Sequence, residues 1–273
     1  RPDGAPAEGL VPLEASWFTT DEQHPRTREM PFRHKQVFER ANEFSQDAQA
    51  NAEAIDRERY PLLTDEQAAV LPPGLQDINQ AFCAADWLAI RFQKRVTFTL
   101  RATHVGALLT GLAYISYTDI ESTRALILVI LCVMLATVGI GYLANRGSWH
   151  RKYLDYRTLA EGLRVQFYWA AAGVTSGNVT KFAHDNFLQM QDPDLGWIRN
   201  VMRVAGTECD VAPSRDPAAL EFVLREWIGD TGSGQLGYYR RKGAERLARH
   251  RTTERIGRLG LLATGIALAG LLF

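Results

Sequence analysis

The residue types that enzymes use for catalysis are densest in "WHRKYLDYRTLAEGLRVQFYW", residues 149–169. The carboxylates of this segment are Asp155 and Glu161, and general acid–base chemistry would need a paired acid and base with a third group to orient them. Arginines flank both carboxylates in the sequence and would keep them ionised. The segment therefore predicts a structural helix rather than a catalytic one.

The apolar residues of this segment recur every three or four positions, which indicates one apolar face on a helix. They are Tyr153, Tyr156, Ala160, Leu163, Phe167 and Ala170. A second face carries Arg157, Glu161 and Arg164 at the spacing of ion pairs within a helix. We expect a structural stalk, whose main residues are Tyr153, Tyr156, Arg157, Glu161, Arg164 and Trp169.

Two further patterns suggest ligands but lack the rest of a binding motif. No strand precedes the glycine-rich "GDTGSGQLG", residues 229–237, and no GK[ST] follows it, so we expect a turn rather than a phosphate loop. The six histidines never have the i, i+4 spacing of a helical metal site, and Cys83, Cys132 and Cys209 are far apart. We expect no catalytic residue, metal or cofactor in these residues, no nucleic-acid partner and no enzymatic activity.

The elements that must position these segments are membrane helices. Residues 125–144 are uncharged and mostly aliphatic, which is the length that crosses about 30 Å of hydrocarbon. A weaker apolar window, residues 102–118, is separated from the first by only "DIEST", so the two predict a transmembrane helical hairpin with a tight outer turn. Residues 257–273 predict a third, incomplete crossing.

The distribution of charge predicts the orientation, because loops on the cytoplasmic side are rich in lysine and arginine. Basic residues precede the first crossing, follow the second and crowd before the third, whereas the hairpin turn carries Asp119, Glu121 and the single cation Arg124. We therefore expect the turn outside and the N-terminus in the cytoplasm, in the inner (cytoplasmic) membrane of a bacterium.

Together these features predict an all-α membrane protein with long cytoplasmic helices. The expected regions are an N-terminal cytoplasmic helical region and linker (1–79), the hairpin with its preceding helix (80–146), a cytoplasmic helical domain (147–256) and the third crossing (257–273). Further helices are predicted over 33–60 and around 178–190, 194–206 and 217–228. Because the chain begins with Arg1 and ends within an apolar run, we expect a piece of a longer protein.

The predicted hairpin is followed by "KYLDYRTLAEGLRVQFYW", and "WIGDTGSGQLGYYRRKGAERLARH" then precedes the next predicted crossing. This order of elements resembles the SLATT family of bacterial conflict systems. The similarity is greatest to the form attached to SLOG domains akin to those of TRPM channels, and it spans roughly residues 80–273. It rests on Tyr153, Tyr156, Arg157, Glu161, Arg164, Gln166, Trp169, Trp227, Gln235, Tyr238 and Tyr239.

The resemblance implies an antiviral membrane effector, in which an upstream nucleotide-sensing SLOG domain gates a pore-forming assembly. The SLOG domain itself is not in these residues, so a nucleotide ligand would bind to a domain that is not present here.

Two hypotheses of function follow. In the first, several chains form a homo-oligomeric pore in the lipid bilayer, with an acidic ring of Asp119 and Glu121 at its outer mouth. Its conduit would be lined by Thr110, Ser116, Tyr117 and Thr137. In the second, the crossings are a membrane anchor and oligomerisation scaffold for a sensor or enzyme domain outside this segment.

Overall fold

The computed structural model describes residues 32–63, 74–120, 122–173, 195–207, 217–230 and 232–270. Within these ranges the regular secondary structure is entirely helical, with no strand, as the sequence predicted. The chain divides into two compact units. The first comprises Arg1–Phe167 and Lys181–Asp210, and the second comprises Tyr168–Thr180 and Val211–Phe273.

The first unit contains six of the described helices, and the last residues of α5 pass into the second unit. They are α1 (Phe32–Ala50), α2 (Ala52–Glu58), α3 (Gly74–Ile115), α4 (Arg124–Arg146), α5 (Trp149–Ala171) and α6 (Gly196–Ala205), with a π turn (Ser116–Ile120) after α3.

The single helix predicted over 33–60 is broken at Asn51, between α1 and α2. The Asn51 side chain donates a hydrogen bond to the Asp47 carbonyl at 2.7 Å, a local bond of the kind that competes with helix continuation. α3 continues without interruption for 42 residues, from the helix predicted before the hairpin into the apolar window that begins at residue 102. The predicted regions 1–79 and 80–146 are therefore joined within one helix.

The core of the first unit forms where the apolar faces of α1, α3, α5 and α6 converge. The predicted stripe on α5 lies in this core, since Tyr156, Ala160, Leu163 and Phe167 are buried. The outer two members of the stripe, Tyr153 and Ala170, are half-buried. This part of α5 thus lies at the packed centre of a helical bundle.

The second half of α3 packs against α4, and the π turn Ser116–Ile120 precedes α4. Gly106 is buried at this contact, and a Cβ atom there would overlap the hydroxyl oxygen of Thr137. The absence of a side chain at 106 therefore lets the two helices approach closely, as small residues do at contacts between membrane helices.

Among the described residues, one helix is long and apolar enough to cross a membrane, namely α4 with 23 residues, none of whose apolar window is buried. The membrane crossings predicted over 102–118 and 257–273 stay predictions. The helix predicted around 178–190 lies outside the described residues.

The second unit contains the end of α5, α7 (Pro217–Val223), a π turn (Leu224–Ile228) and α8 (Gly234–Gly270). Its apolar centre is a stack of aromatic rings. The centroid of the Tyr168 ring lies 5.1 Å from that of Trp227 and 6.3 Å from that of Phe222. α8 passes without a break from its basic half into an exposed apolar half.

Candidate functional site at the base of the hairpin

An aromatic cluster joins the four core helices of the first unit. The Tyr156 ring on α5 lies 5.5 Å from Phe44 on α1, 5.7 Å from Phe92 on α3 and 6.2 Å from Trp197 on α6. Rings at these separations and tilted angles have the favourable edge-to-face geometry. This cluster fixes the start of α5, and therefore the base of the hairpin, against the rest of the bundle.

A network of ion pairs beside this cluster connects α1 with α5. Lys152 Nζ lies 2.6 Å from Asp47 Oδ2 and 3.1 Å from Glu43 Oε1, while Arg151 Nη2 lies 2.6 Å from Glu43 Oε2. The Tyr156 hydroxyl also donates to Asp47 Oδ2, at 2.7 Å. The two carboxylates of α1 therefore bind three polar side chains near the start of α5, those of Arg151, Lys152 and Tyr156.

The protonation states favour a structural role for this network. Burial, reinforced by the hydrogen bond to Asp47, raises the pKa of Tyr156, so its hydroxyl remains a donor. Burial raises the pKa of Asp155, and the charges of Arg40 and Arg151 oppose that shift. Burial alone would lower the pKa of Arg151, but its hydrogen bonds and attraction to Glu43 and Asp155 raise it.

A second network holds α5 to α3. Arg157 Nη1 lies 3.1 Å from Asp86 Oδ1, and Arg157 Nη2 lies 2.5 Å from Glu161 Oε1. Arg164 contacts Glu161 at 3.0 Å and its guanidinium lies over the Phe82 ring. The predicted ion pairs along this face are confirmed. Asp155 and Glu161 thus contact arginines in separate networks rather than each other.

Two of the four predicted pore-lining residues lie where α3 and α4 meet. The half-buried Thr137 packs against Gly106, and its hydroxyl donates to the Val133 carbonyl at 2.8 Å. Thr110 is also half-buried and lies four residues after Gly106, on the same face of α3. In a single chain these two threonines therefore take part in packing within the hairpin.

The other predicted pore residues are near the outer turn. The Ser116 hydroxyl donates to the Leu112 carbonyl at 2.9 Å, and the Tyr117 side chain is half-buried. Asp119 is exposed within the π turn, while Glu121 lies outside the described residues. The acidic ring and the conduit lining stay predictions, because both require several chains.

The structure also reveals a groove of about 480 Å³ at the base of the hairpin, which the sequence did not predict. Its lining comes from α3, from the end of α4 and from the start of α5, and includes Val96, Leu100, Ala144 and Trp149. A tight turn creates it, because Gly147 and Ser148 direct α5 away from the axis of α4, with Ser148 at a positive φ of 48°. Trp149, an aromatic residue three positions after the apolar helix α4, is the sequence signal that could have indicated this site.

Several residues that carry the family resemblance serve packing in the structure. Gln166 is buried and donates from Nε2 to the Met202 carbonyl at 2.8 Å, and Gly206 leaves space for that amide. Trp227 belongs to the aromatic stack of the second unit, where Tyr238 and Tyr239 also contact each other. Trp169 is half-buried.

The glycine-rich segment is a turn followed by the start of α8, as predicted. Asp230 Oδ1 accepts hydrogen bonds from the backbone N–H groups of Gly232 and Ser233, and these bonds lower the pKa of Asp230. The positive φ angles of Gly229 and Gly234 close the turn, which brings their backbones into contact.

No group of three or more histidine, cysteine, aspartate or glutamate side chains in the described ranges could hold a metal ion. Burial raises the pKa of Cys83 to about 11, so its thiol is unreactive at neutral pH. The chain matches no protein-family model, and the comparisons with curated proteins and with solved structures yield no match.

Proposed function

We propose that this chain is the membrane part of a homo-oligomeric, channel-like effector in the bacterial inner membrane. The proposal includes a cytoplasmic N-terminus, control by an upstream nucleotide-sensing domain and a role in antiviral defence. The observation that carries it is the apolar outer surface of the α3–α4 hairpin, which is continuous with a packed and charged helical bundle. The SLATT resemblance of the sequence supports the nucleotide control and the defence role.

The outer surface of the hairpin suits lipid or a neighbouring hairpin. Leu108 on α3 and Leu128, Leu135 and Val138 on α4 are exposed. Apolar surface costs about 25 cal/mol per Å² in water, and contiguous patches of this extent mark membrane or protein contacts. A bilayer covers the lipid-facing part, and neighbouring copies of the hairpin cover the remainder.

The continuity of α3 supports a gated assembly. The same helix contributes Phe92 to the aromatic cluster of the bundle and Gly106 to the contact with α4. A rotation of the bundle therefore tilts the hairpin with it, since no break in α3 absorbs the motion. A domain that acts on the bundle would in this way open or close a pore.

A membrane anchor and oligomerisation scaffold is the second candidate, and one observation favours it. Thr110 and Thr137, which a conduit would need for its lining, lie at the contact within the hairpin, and the residues exposed on α4 are almost all apolar. A scaffold needs no polar lining, so an apolar exposed surface on α4 is compatible with a scaffold.

Single-channel recording distinguishes the two functions. The full chain is reconstituted as an oligomer in a planar bilayer, with and without candidate nucleotides on the cytoplasmic side. A channel gives discrete current steps with a preference for cations, and the double variant Asp119→Asn/Glu121→Gln loses most of that preference because the acidic ring is neutralised.

The matched control removes two exposed carboxylates of the bundle, in Glu53→Gln/Asp77→Asn, and leaves cation selectivity unchanged. Silence of an intact oligomer with every nucleotide tested would exclude the channel and leave the scaffold.

A further inference from the structure

We propose that the groove at the base of the hairpin is a binding site for one anionic phospholipid of the cytoplasmic leaflet. The inference deepens the proposed function and rests on it, because the groove meets lipid only if α4 crosses the membrane.

The two ends of the groove have different chemistry. The side that continues along the hairpin is mostly aliphatic, with Val96 and Leu100 on α3 and Ala144 on α4, and the Thr99 hydroxyl there donates to the Arg95 carbonyl of its own helix. The opposite side carries hydrogen-bonding groups, from Asn145 and from the Ser148–Arg151 segment. A ligand that fits both sides has an acyl chain and a polar head, and the volume of about 480 Å³ is in the usual range of ligand sites.

The position of the groove places these two sides at the boundary of a bilayer. α4 ends at Arg146, so residues 144–151 lie at the depth of the cytoplasmic headgroups when α4 spans the hydrocarbon. Trp149 lines the groove at this depth, where tryptophan is typical of membrane–water interfaces.

The charge around the groove favours an anionic head. Among the described residues, Arg95 has no carboxylate partner, whereas Arg151 in the groove is already paired with Glu43 and Asp155. The Arg95 guanidinium lies over the Trp149 ring, with 5.4 Å between guanidinium carbon and ring centroid. Arg95 is therefore held at the edge of the groove, with donors left for a phosphate.

The aliphatic side decides between a membrane lipid and a soluble phosphate compound. A soluble phosphate would occupy the polar side alone and leave Val96, Leu100 and Ala144 against water. A phospholipid covers them with its acyl chain and binds Arg95 through its phosphate, so the lipid is the occupant to which we commit.

Quenching of Trp149 fluorescence tests the proposal. The full chain and its Trp149→Phe variant are placed in phosphatidylcholine vesicles that contain increasing fractions of a lipid brominated near the glycerol end, either phosphatidylglycerol or phosphatidylcholine. The signal lost in Trp149→Phe reports Trp149 alone. We expect half-maximal quenching at a severalfold lower fraction of the anionic lipid, and equal quenching by both lipids would overturn the proposal.

Charge variants separate the groove from general attraction to the surface. Arg95→Gln should reduce the preference for the anionic lipid about fivefold, the effect expected of one cation near a headgroup. The matched control, Lys94→Gln, removes an exposed charge at the same depth on the other side of α3 and should change it less than about twofold. An equal loss in Lys94→Gln would show surface attraction without a site.

Two further measurements complete the test, namely competition by a soluble headgroup and insertion of the chain into the vesicle. Millimolar glycerol phosphate should leave the quenching unchanged, and its displacement of the lipid would assign the groove to a soluble ligand instead. Resistance of the vesicle-bound chain to alkaline extraction reports insertion separately. Loss of insertion would defeat the proposed function and this inference together, whereas insertion without lipid preference would defeat this inference alone.

Discussion

The two halves of α3 face different surroundings. In its first half Leu88 is 0% exposed and lies in the bundle core, whereas in its second half Leu108 is 62% exposed. The first half also forms an interhelical ion pair through Asp86, but the hydroxyls of the second half, such as those of Thr99 and Thr103, donate to carbonyls of their own helix. One unbroken helix therefore packs in a protein core along its first half and exposes apolar side chains along its second half.

The largest effect is expected when the same leucine-to-alanine substitution is made in each half of α3. Leu88→Ala should lower the free energy of unfolding of the bundle by about 3 kcal/mol, because it leaves a cavity in a closed core. Leu108→Ala removes the same atoms from an exposed site and should change the free energy by less than about 0.5 kcal/mol. Denaturant titration in detergent micelles measures both values, and equal losses would contradict the division of α3.

An intermediate effect is expected at the contact of the hairpin itself. Gly106→Ala should cost roughly 1 to 3 kcal/mol, because the new methyl group overlaps the Thr137 hydroxyl. Gly111→Ala, where a Cβ atom has open space, is the matched control and should be neutral or slightly stabilising.

A double-mutant cycle assigns the Gly106→Ala effect to the contact. In a Thr137→Ala background the cost of Gly106→Ala should largely disappear, since the overlapping oxygen is gone. Thermal unfolding followed by circular dichroism measures the four proteins. An unchanged cost in that background would show that Gly106 and Thr137 are not in contact.

The smallest effect concerns pH and belongs to the first half of α3. Burial raises the pKa of Asp86, and the charges of Arg157 and Arg164 only partly offset this. The folded state therefore holds this proton more tightly than the unfolded state, so the stability that Asp86 contributes falls as pH rises from about 3.8 through its folded pKa. In unfolding titrations between pH 3.5 and 6, the free energy of unfolding of Asp86→Asn should decline less steeply with pH than that of the unchanged protein. An equal slope in both proteins would assign the decline to other groups.

Sequence periodicity predicted the local elements well. The apolar stripe on α5 and the helices near 194–206 and 217–228 are present, because helix formation depends on residues three and four positions apart. The break at Asn51 was missed, since the composition of residues 33–60 favours helix throughout and the interruption depends on one side-chain bond.

The candidate site was much less predictable. Thr110 and Thr137 were singled out for their hydroxyls alone, whereas the contact of Thr137 with α3 depends on the missing side chain at Gly106. Glu43 and Asp47 were not singled out, although their i, i+4 spacing places them on one face of α1. Nothing local indicates that this face meets the start of α5.

The sequence by itself determined the helical class, the position of the apolar helix α4 and the placement of charge around it, because composition and short-range spacing act within a single element. Only the tertiary structure decided that α5 is the centre of a bundle and that Lys152 and Tyr156 meet Asp47, which lies 105 and 109 residues away in the chain. It likewise decided that three helices enclose a groove beside Trp149. Such contacts depend on how whole helix faces fit together, and no short window of sequence contains that information.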